Sequence, residues 1–187
     1  MRKLKLQMQV TVDGFVGGPN GENDWVFING APDANTLQDI FDIAAGCDTL
    51  LLGSKTGPGF HEYWKNVADN QPDNPWNAIA KQIVGHRKII FSSTITTDPN
   101  AEVEDGDLAN VVNALKNQPG KDLLVYGGAS FVSSLISLNL IDEYYFIVNP
   151  VAIGSGLTIF KERKIMQLES SNAYLNGKVL NKYVPVG

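Results

Sequence analysis

Glycine and hydroxyl residues follow directly after several short apolar runs of this sequence, and together they could bind a phosphate group. Glycine lets a ligand approach the bare main chain, while hydroxyl and backbone N–H groups donate hydrogen bonds to phosphate oxygens. The residues of this set are Gly53, Ser54, Lys55, Thr56, Ser92, Ser93, Gly127, Gly128, Ala129 and Ser130. We predict that Gly127 and Gly128 let the diphosphate of a dinucleotide lie against the main chain, although a tight turn alone would also explain a glycine pair.

The apolar runs before these residues predict strands that are covered on both faces. The runs are TLLLG at 49–53, RKIIFSS at 87–93 and DLLVY at 122–126. Helical spacing of apolar residues occurs near 34–45, 60–67, 75–84, 107–117 and 129–139, and Asp33 or Asn35 is the expected N-cap of the first of these helices. This alternation predicts a mainly parallel sheet with helices on both faces. Ligands of such sheets bind outside the carboxyl ends of the strands, where the helices that follow offer unpaired N–H groups.

The two ends of the chain follow other patterns. Residues 3–12 alternate with period two, which predicts a strand with one buried face, and the loop DGFVGGPNGENDW after it is too polar to be core. The final third has strand patterns without helices, and Asn176-Gly177 is typical of a hairpin. These patterns lie in IDEYYFIVNPVAIG, LTIF and IMQLESSNAYLNGKVLNKYVPV. The predicted fold is one α/β domain over 1–187, three-layer α/β/α, with a mostly parallel central sheet and an antiparallel C-terminal edge.

Composition narrows the classes of partner. The chain has 15 Lys and Arg against 20 Asp and Glu, a formal net charge of -5, which argues against a nucleic-acid partner. Cys47 is the single cysteine, so no internal disulfide forms. No run of about 18 apolar residues occurs, so we expect no membrane partner and a cytoplasmic protein. His61 and His86 stand far apart and no HExxH or CxxC motif occurs, so we expect no metal.

Six motifs stand in the order seen in the dihydrofolate-reductase-like superfamily. They are TVDG at 11–14, GSKT at 53–56, RKIIFSS at 87–93, GGA at 127–129, LIDE at 140–143 and PVAIGSG at 150–156. Over nearly its whole length the chain most resembles the C-terminal reductase domain of the bifunctional riboflavin-biosynthesis deaminase/reductase. The resemblance implies an NADPH-dependent reductase that passes a hydride to a small heterocyclic or sugar-like substrate of the pteridine or ribosylaminopyrimidine class.

The resemblance also implies which residues bind the cofactor. They are Thr11, Gly14, Gly53, Ser54, Lys55, Thr56, Ser92, Ser93, Gly127, Gly128, Ala129, Ser130, Gly154 and Gly156. The loop 11–25 would cover the nicotinamide and exclude water. Ser54 stands where many relatives carry Arg, so Lys55, Arg87 or Lys88 would have to supply positive charge to a phosphate.

The residues that would act on the substrate are fewer. Asp13 and Asp39 are the candidates for proton transfer, with a turn-making role and a simple exposed helix carboxylate as their respective alternatives. Trp25 could stack on a flat ring or fill the loop against the core. Because no acid stands out, we expect a reduction other than that of dihydrofolate, and a nucleotide-binding module with little activity is the alternative. We expect a homodimer through residues 154–186.

Overall fold

Strands and helices alternate along most of the chain, as the apolar patterns predict. The computed structural model describes residues 1–28 and 32–186. In these ranges the strands are β1 Leu4–Thr11, β2 Cys47–Gly53, β3 Arg87–Phe91, β4 Glu102–Glu104, β5 Asp122–Val125, β6 Glu143–Asn149, β7 Met166–Ala173 and β8 Val179–Pro185. The helices are α1 Ala34–Ala45, α2 Phe60–Asn70, α3 Asn77–Gly85, α4 Leu108–Lys116 and α5 Ala129–Ser137. No helix in these ranges is long and apolar enough to span a membrane.

All of these strands join one sheet in the order β4-β3-β2-β5-β1-β6-β8-β7. The pairs from β4 across to β6 are parallel. In contrast, β8 runs antiparallel to β6, and β7 runs antiparallel to β8. The predicted fold class, a mostly parallel sheet with an antiparallel C-terminal edge, is therefore confirmed.

Helices cover both faces of the sheet and form two separate cores. On one face, Val112 of α4 and Val132 of α5 pack with Leu6 of β1. On the other face, Ile40 of α1 packs with Leu124 of β5, together with residues of α3. Helix α2 packs on α3. The sheet is thus buried on both sides, which explains why β2, β3 and β5 read as continuous apolar runs. Strand β1 is also covered on both faces, contrary to its alternating pattern, which predicts one buried face.

Local sequence explains where the helices begin. The Asp33 carboxylate accepts a hydrogen bond from Asn35 N (2.8 Å) at the start of α1, so the N-cap is Asp33, one of the two predicted candidates. The Asp107 carboxylate accepts from Asn110 N (2.9 Å) at the start of α4. Helix α5 differs, because its N-cap is Gly128 and no side chain caps it. Its first N–H groups therefore stay available to a ligand.

The predicted hairpin at Asn176-Gly177 is confirmed between β7 and β8. Gly177 has a φ of +81°, which an L side chain rarely adopts. Tyr174 N donates to Lys178 O (2.9 Å) and closes the turn. The hairpin fixes the register of the two outermost strands.

The run LTIF at 157–160 is not a strand, contrary to its apolar pattern. Leu157 makes an isolated antiparallel bridge with Gly17. Ile159 is 2% exposed and packs into the core beneath α4 and α5. The apolar character of this run therefore reflects packing against the core and not pairing in the sheet.

Two further features differ from the sequence predictions. The end of the loop after β1 contributes to the core, since Trp25 and Val26 are only 6% and 8% exposed in a 3₁₀ turn over Asp24–Phe27. Strand β4 was not predicted, because it has three residues and two of them are glutamates. Short polar edge strands give little periodic signal.

Candidate functional site

Two cavities lie at the carboxyl edge of the parallel strands. The first, which we call the glycine cavity, has a volume of about 340 Å³. It is lined by Gly53, Ser54, Lys55, Thr56, Phe91, Gly128, Ala129, Ser130, Phe131, Ser134 and Leu157. The ends of β2 and β3 thus meet the start of α5 around a single space. The residues predicted to bind phosphate after β2 and after β5 are therefore brought together here, whereas those after β3 do not line this cavity.

The chemistry of the glycine cavity suits an anion. Ala129 and Ser130 are the first residues of α5, whose N-terminal N–H groups lack intrahelical partners and carry the positive end of the helix dipole. Ser54, Lys55 and Thr56, which follow β2, also line this cavity. No carboxylate occurs among the described residues that line this cavity. A diphosphate would therefore meet donors and one positive charge without repulsion.

Close packing explains two of the glycines in this cavity. A Cβ on Gly53 would lie 2.7 Å from Phe131 Cβ, and a Cβ on Gly128 would lie 3.0 Å from Thr56 Oγ1. Gly53 is therefore required where α5 approaches β2. Gly127 has a φ of +155°, a value that favours glycine, and the Gly127–Gly128 peptide is cis.

Two of the basic residues considered for a cofactor phosphate lie at the wrong end of the sheet. Arg87 begins β3, and its guanidinium donates to Glu102 through Nε (2.7 Å) and Nη2 (2.6 Å). Lys88 Nζ donates to Val84 O (2.9 Å) and His86 O (2.8 Å), and burial lowers its pKa. Phe91, the last residue of β3, lines the glycine cavity. At a rise of about 3.3 Å per residue, it lies about 13 Å from Arg87 and about 10 Å from Lys88 along the strand. Lys55 is the remaining candidate of the three.

The second cavity, which we call the aromatic cavity, has a volume of about 480 Å³. Its lining comes from β1, the loop after β1, the three helices of one face, and the residue that follows β5. The lining residues are Gln7, Met8, Gln9, Val16, Asn23, Val26, Phe27, Ile40, Phe60, Tyr63, Trp64, Trp76, Ile79, Ile83 and Tyr126. None of these carries a formal charge at neutral pH. Burial raises the pKa of the Tyr126 hydroxyl, so that hydroxyl keeps its proton.

Comparison with known proteins establishes the family. The family model described as the RibD C-terminal domain matches residues 2–180. The chain belongs to this family. It is 31% identical over 182 residues to the uncharacterized protein YyaP of Bacillus subtilis (strain 168), an alignment that covers 95% of this chain and 92% of that protein.

Solved structures share the fold of this chain. A protein from Shewanella sp. PV-4 that is named for riboflavin biosynthesis superposes with a TM-score of 0.73 at 18% identity, over 100% of both chains. A diaminohydroxyphosphoribosylaminopyrimidine deaminase/5-amino-6-(5-phosphoribosylamino)uracil reductase from Thermotoga maritima gives a TM-score of 0.68 at 14% identity. That match covers 99% of this chain and 57% of the Thermotoga chain. The fold is therefore that of RibD-type reductase domains in the dihydrofolate-reductase-like superfamily.

Asp13 and Thr11 connect two loops of the protein. The Asp13 carboxylate accepts hydrogen bonds from Thr11 Oγ1 (2.5 Å), Ile153 N (3.1 Å) and Gly154 N (2.8 Å). The bond from Thr11, followed by the bond from Gly154, lowers the pKa of Asp13. Gly14 has a φ of +87° in the turn after β1. Asp13 is thus an ionised, exposed carboxylate that holds the turn against the loop after β6.

Asp39 and Trp25 lie apart from the described linings of both cavities. The Asp39 carboxylate accepts hydrogen bonds from the Tyr174 hydroxyl and from Asn172 Nδ2 (3.3 Å), and so joins α1 to the β7–β8 hairpin. Burial and this bond to Asp39 raise the pKa of Tyr174. Trp25 packs inside the core, and its Nε1 has no hydrogen-bond partner among the described residues.

Ser92 and Ser93 follow β3 but do not appear in the described lining of the glycine cavity. Ser92 is buried, and its Oγ accepts hydrogen bonds from Thr94 N (3.1 Å) and Ile95 N (2.8 Å). Ser93 is exposed. Ser92 therefore stabilises the turn after β3, while Ser93 faces solvent near the same edge.

Gly154 and Gly156 shape the loop that contributes Leu157 to the lining of the glycine cavity. Gly154 has a φ of +73°. A Cβ on Gly156 would lie 2.2 Å from Gly17 O, so Gly156 is needed where two loops of the protein touch. At the same place Val16 N donates to Leu157 O (2.9 Å), and Leu157 N donates to Gly17 O (2.8 Å). Val16 lines the aromatic cavity and Leu157 lines the glycine cavity.

Sequence reasoning missed the residues of the aromatic cavity. One local signal was present, since Phe60 and Trp64 stand four residues apart on α2, and their ring centroids lie 6.3 Å apart. Such a pair lies on one helical face. Gln7 gave no signal, because a polar residue in a period-two strand is expected to face solvent.

Proposed function

We propose that this chain is an NADPH-dependent reductase that transfers a hydride to a small heterocyclic or sugar-like substrate. The observation that carries the proposal is the position of the two cavities around one turn. Gly128 lines the glycine cavity and Tyr126 lines the aromatic cavity, with only Gly127 between them. A dinucleotide whose diphosphate lies at Gly128 could therefore reach the aromatic cavity with its nicotinamide.

The residues present fit such a cofactor. The N–H groups of Ala129 and Ser130 would bind the diphosphate at the start of α5, and Ser54, Lys55 and Thr56 would contact the phosphates from β2. NADPH supplies the hydride when it is bound. The chain supplies the apolar walls that exclude water from the reacting atoms.

A proton must also reach the substrate in most such reductions. No carboxylate lines either cavity in the part of the chain that the structure describes. Tyr126 lines the aromatic cavity, and its buried hydroxyl, which has no hydrogen-bond partner among the described residues, retains its proton because burial raises its pKa. Tyr126 Oη is therefore the proposed site at which a proton is held next to the substrate.

The same lack of a carboxylate favours a second candidate, an NADP(H)-binding module with little or no catalysis. One experiment separates the two functions. NADPH and NADH are titrated by calorimetry, and oxidation of bound NADPH is then followed by absorbance with pteridine and pyrimidine substrates. Binding with turnover supports the reductase, and binding without turnover supports the module. Failure of both nucleotides to bind would remove both functions.

We also propose that the protein forms a homodimer through its C-terminal edge. Strand β7 is the outermost strand of the antiparallel edge, and Leu168 on it is 50% exposed. An uncovered edge strand can pair with a second copy. Light scattering at micromolar concentration should give twice the monomer mass, and a monomer would refute this proposal.

A further inference from the structure

We propose that Lys178 is a positioning residue of the aromatic cavity, and that it holds the Val26–Phe27 part of the cavity wall in place from the tip of the β7–β8 hairpin. The inference rests on the proposed function only in taking this cavity as the place where the substrate binds. It gives a role to a residue that is absent from the described linings of both cavities.

The hairpin brings Lys178 to the edge of the sheet where both cavities lie. Lys178 immediately precedes β8, whose first residue, Val179, pairs with Val148 near the end of β6. Because β6 runs parallel to β1, this end of β6 belongs to the carboxyl edge of the parallel strands. A Cβ on Gly177 would lie 3.3 Å from Pro150 Cγ. The tip of the hairpin therefore also contacts the residue that follows β6.

At this edge the Lys178 amine bonds to the main chain of the aromatic-cavity wall. Lys178 is 6% exposed, and its Nζ donates a hydrogen bond to Val26 O (2.8 Å). Val26 and Phe27 both line the cavity and belong to the 3₁₀ turn Asp24–Phe27. The bond joins residues that lie 152 positions apart in the sequence, so it fixes the turn relative to the sheet.

The 3₁₀ turn has few hydrogen bonds of its own. Val26 N donates to Asn23 O (3.1 Å), and Ile28 N donates to Trp25 O at 3.5 Å, which is long for a hydrogen bond. No side chain caps the start of the turn. Because short 3₁₀ turns have poor hydrogen-bond geometry, the position of Val26 depends on contacts from other segments. The bond from Lys178 is such a contact.

Comparison with the other buried lysines shows what distinguishes Lys178. In the part of the chain that the structure describes, Lys88, Lys116 and Lys178 are buried. Lys116 pairs with Asp142 (2.6 Å), and Lys88 donates to two carbonyls within four residues of itself. Burial lowers the pKa of Lys178, and no charged group offsets this effect. A buried amine with a single neutral partner is costly, so stability alone does not explain a lysine at this position.

The hairpin also contacts a second element of the aromatic cavity. The Tyr174 hydroxyl donates to the carboxylate of Asp39 on α1, and the next residue of α1, Ile40, lines the cavity. The hairpin thus holds both α1 and the 3₁₀ turn. Removal of the Lys178 amine would leave α1 attached and release the turn, so the space between these two walls would lose its fixed width.

The first test is amide hydrogen exchange, measured by NMR in Lys178→Met, which keeps the length of the side chain and removes the donor. The Val26 amide reports on the turn. The Tyr174 amide, which donates to Lys178 O (2.9 Å), reports on the hairpin. We expect the Val26 amide to exchange about tenfold faster than in the wild-type protein, with the Tyr174 amide unchanged. Equal acceleration at both amides would show only that the hairpin loosens, and would overturn the inference.

The second test is binding of the uncharged fluorescent probe N-phenyl-1-naphthylamine, whose aromatic rings suit an apolar cavity. Its affinity should fall about tenfold in Lys178→Met. Lys116→Met is the matched control, because Lys116 is 4% exposed and donates to Leu140 O (2.6 Å) on the opposite face of the sheet. Probe affinity should be unchanged in this control. Equal losses in both variants, or no binding to the wild-type protein, would overturn the inference.

A second variant and the absence of NADPH complete the design. Lys178→Gln shortens the side chain and should give the same two changes, and circular dichroism verifies the fold of each variant. If exchange of the Val26 amide and probe affinity keep their wild-type values in both Lys178 variants, the role of Lys178 is wrong even where NADPH binds and is oxidised. If both change as expected but neither nucleotide binds, the proposed reductase function fails alone.

Discussion

The two edges of the parallel sheet differ in how completely their polar groups are paired. At the amino edge, charged residues form ion pairs across neighbouring strands and connections. These pairs are Arg2–Asp48, Lys3–Glu143 (2.6 Å), Lys5–Asp122 (2.9 Å) and Lys116–Asp142 (2.6 Å). At the carboxyl edge, glycines, hydroxyl residues and the uncapped N–H groups of α5 surround the glycine cavity, and uncharged residues line the aromatic cavity.

This difference implies that the amino edge contributes to folding stability and the carboxyl edge to ligand binding. Paired charges at the amino edge can contribute to folding, because each partner offsets the cost of burying the other. Unpaired donors at the carboxyl edge contribute nothing until a ligand meets them. Substitutions at the amino edge should therefore change unfolding without changing ligand affinity, and substitutions at the carboxyl edge should do the reverse.

The largest effect is expected for Glu143→Gln at the amino edge. Burial alone would raise the pKa of Glu143, but hydrogen bonds from Lys3 and Tyr145 and the charge of Lys182 outweigh it and lower the pKa to about 2. Compared with about 4.3 in an unfolded chain, this shift stabilises the fold by about 3 kcal/mol at pH 7. In urea unfolding at pH 7, the free energy of unfolding of the Glu143→Gln variant should be about 3 kcal/mol lower than that of the wild-type protein. NADPH affinity should be unchanged.

The pH dependence gives the same prediction a second readout. Because the folded-state pKa is depressed, the contribution of Glu143 is complete above about pH 4.3 and is lost as the pH falls toward about 2. The difference in the free energy of unfolding between the wild-type protein and the Glu143→Gln variant should therefore narrow as the pH falls from about 4.3 to about 2. Glu169→Gln is the matched control, since Glu169 makes an exposed bridge to Lys182 (2.7 Å) worth about 1 kcal/mol or less. Equal losses in both variants would contradict the prediction.

The next effect is expected for Ser130→Asp at the carboxyl edge. A carboxylate at this position would occupy the space of the diphosphate and repel it, so NADPH affinity should fall about a hundredfold by calorimetry, or about 2.7 kcal/mol. Stability should be unchanged or slightly higher, because negative charge favours a helix N-terminus.

Ser137→Asp at the other end of α5 is its matched control. It introduces the same charge at an exposed position, where the helix dipole opposes it and stability should fall by about 0.5 kcal/mol. NADPH affinity should stay unchanged. A similar loss of NADPH binding in both variants would show that the diphosphate does not lie at the start of α5.

The smallest effect is expected for Lys55→Met. Lys55 supplies the one positive charge of the described glycine-cavity lining, and an exposed charge contributes about 1 kcal/mol or less. NADPH affinity should therefore fall about fivefold, and NADH affinity should fall less because NADH has one phosphate fewer. Lys65→Met on α2, where Lys65 pairs with Asp69, is the control. An equal loss for both nucleotides would show that Lys55 contacts only phosphates shared by the two.

The sequence predicted features that local pattern determines. Buried runs such as TLLLG read as strands because both faces of the sheet are covered, and Asp33 and Asn176-Gly177 mark a helix start and a hairpin through chemistry contained within a few residues. The convergence of Gly53 and Gly128 on one cavity followed from the rule that parallel strands share a carboxyl edge.

The remaining features depend on contacts between distant residues. Asp39 accepts a hydrogen bond from Tyr174, which lies 135 residues away in the sequence, so no local pattern could separate this role from that of an exposed carboxylate. LTIF is apolar because it covers a core formed by other segments. Gln7 faces a cavity only because α1, α2 and α3 leave space above β1. In each case tertiary packing outweighs local propensity.

The bridge between Gly17 and Leu157 has a consequence for how the two ligands bind. Through it, Val16 in the wall of one cavity is hydrogen-bonded to Leu157 in the wall of the other. A ligand that shifts either wall must also move its neighbour, so we expect occupancy of one cavity to alter the free energy of filling the second. Thermodynamic linkage requires this influence to be reciprocal, with each molecule changing the affinity of the other by the same factor.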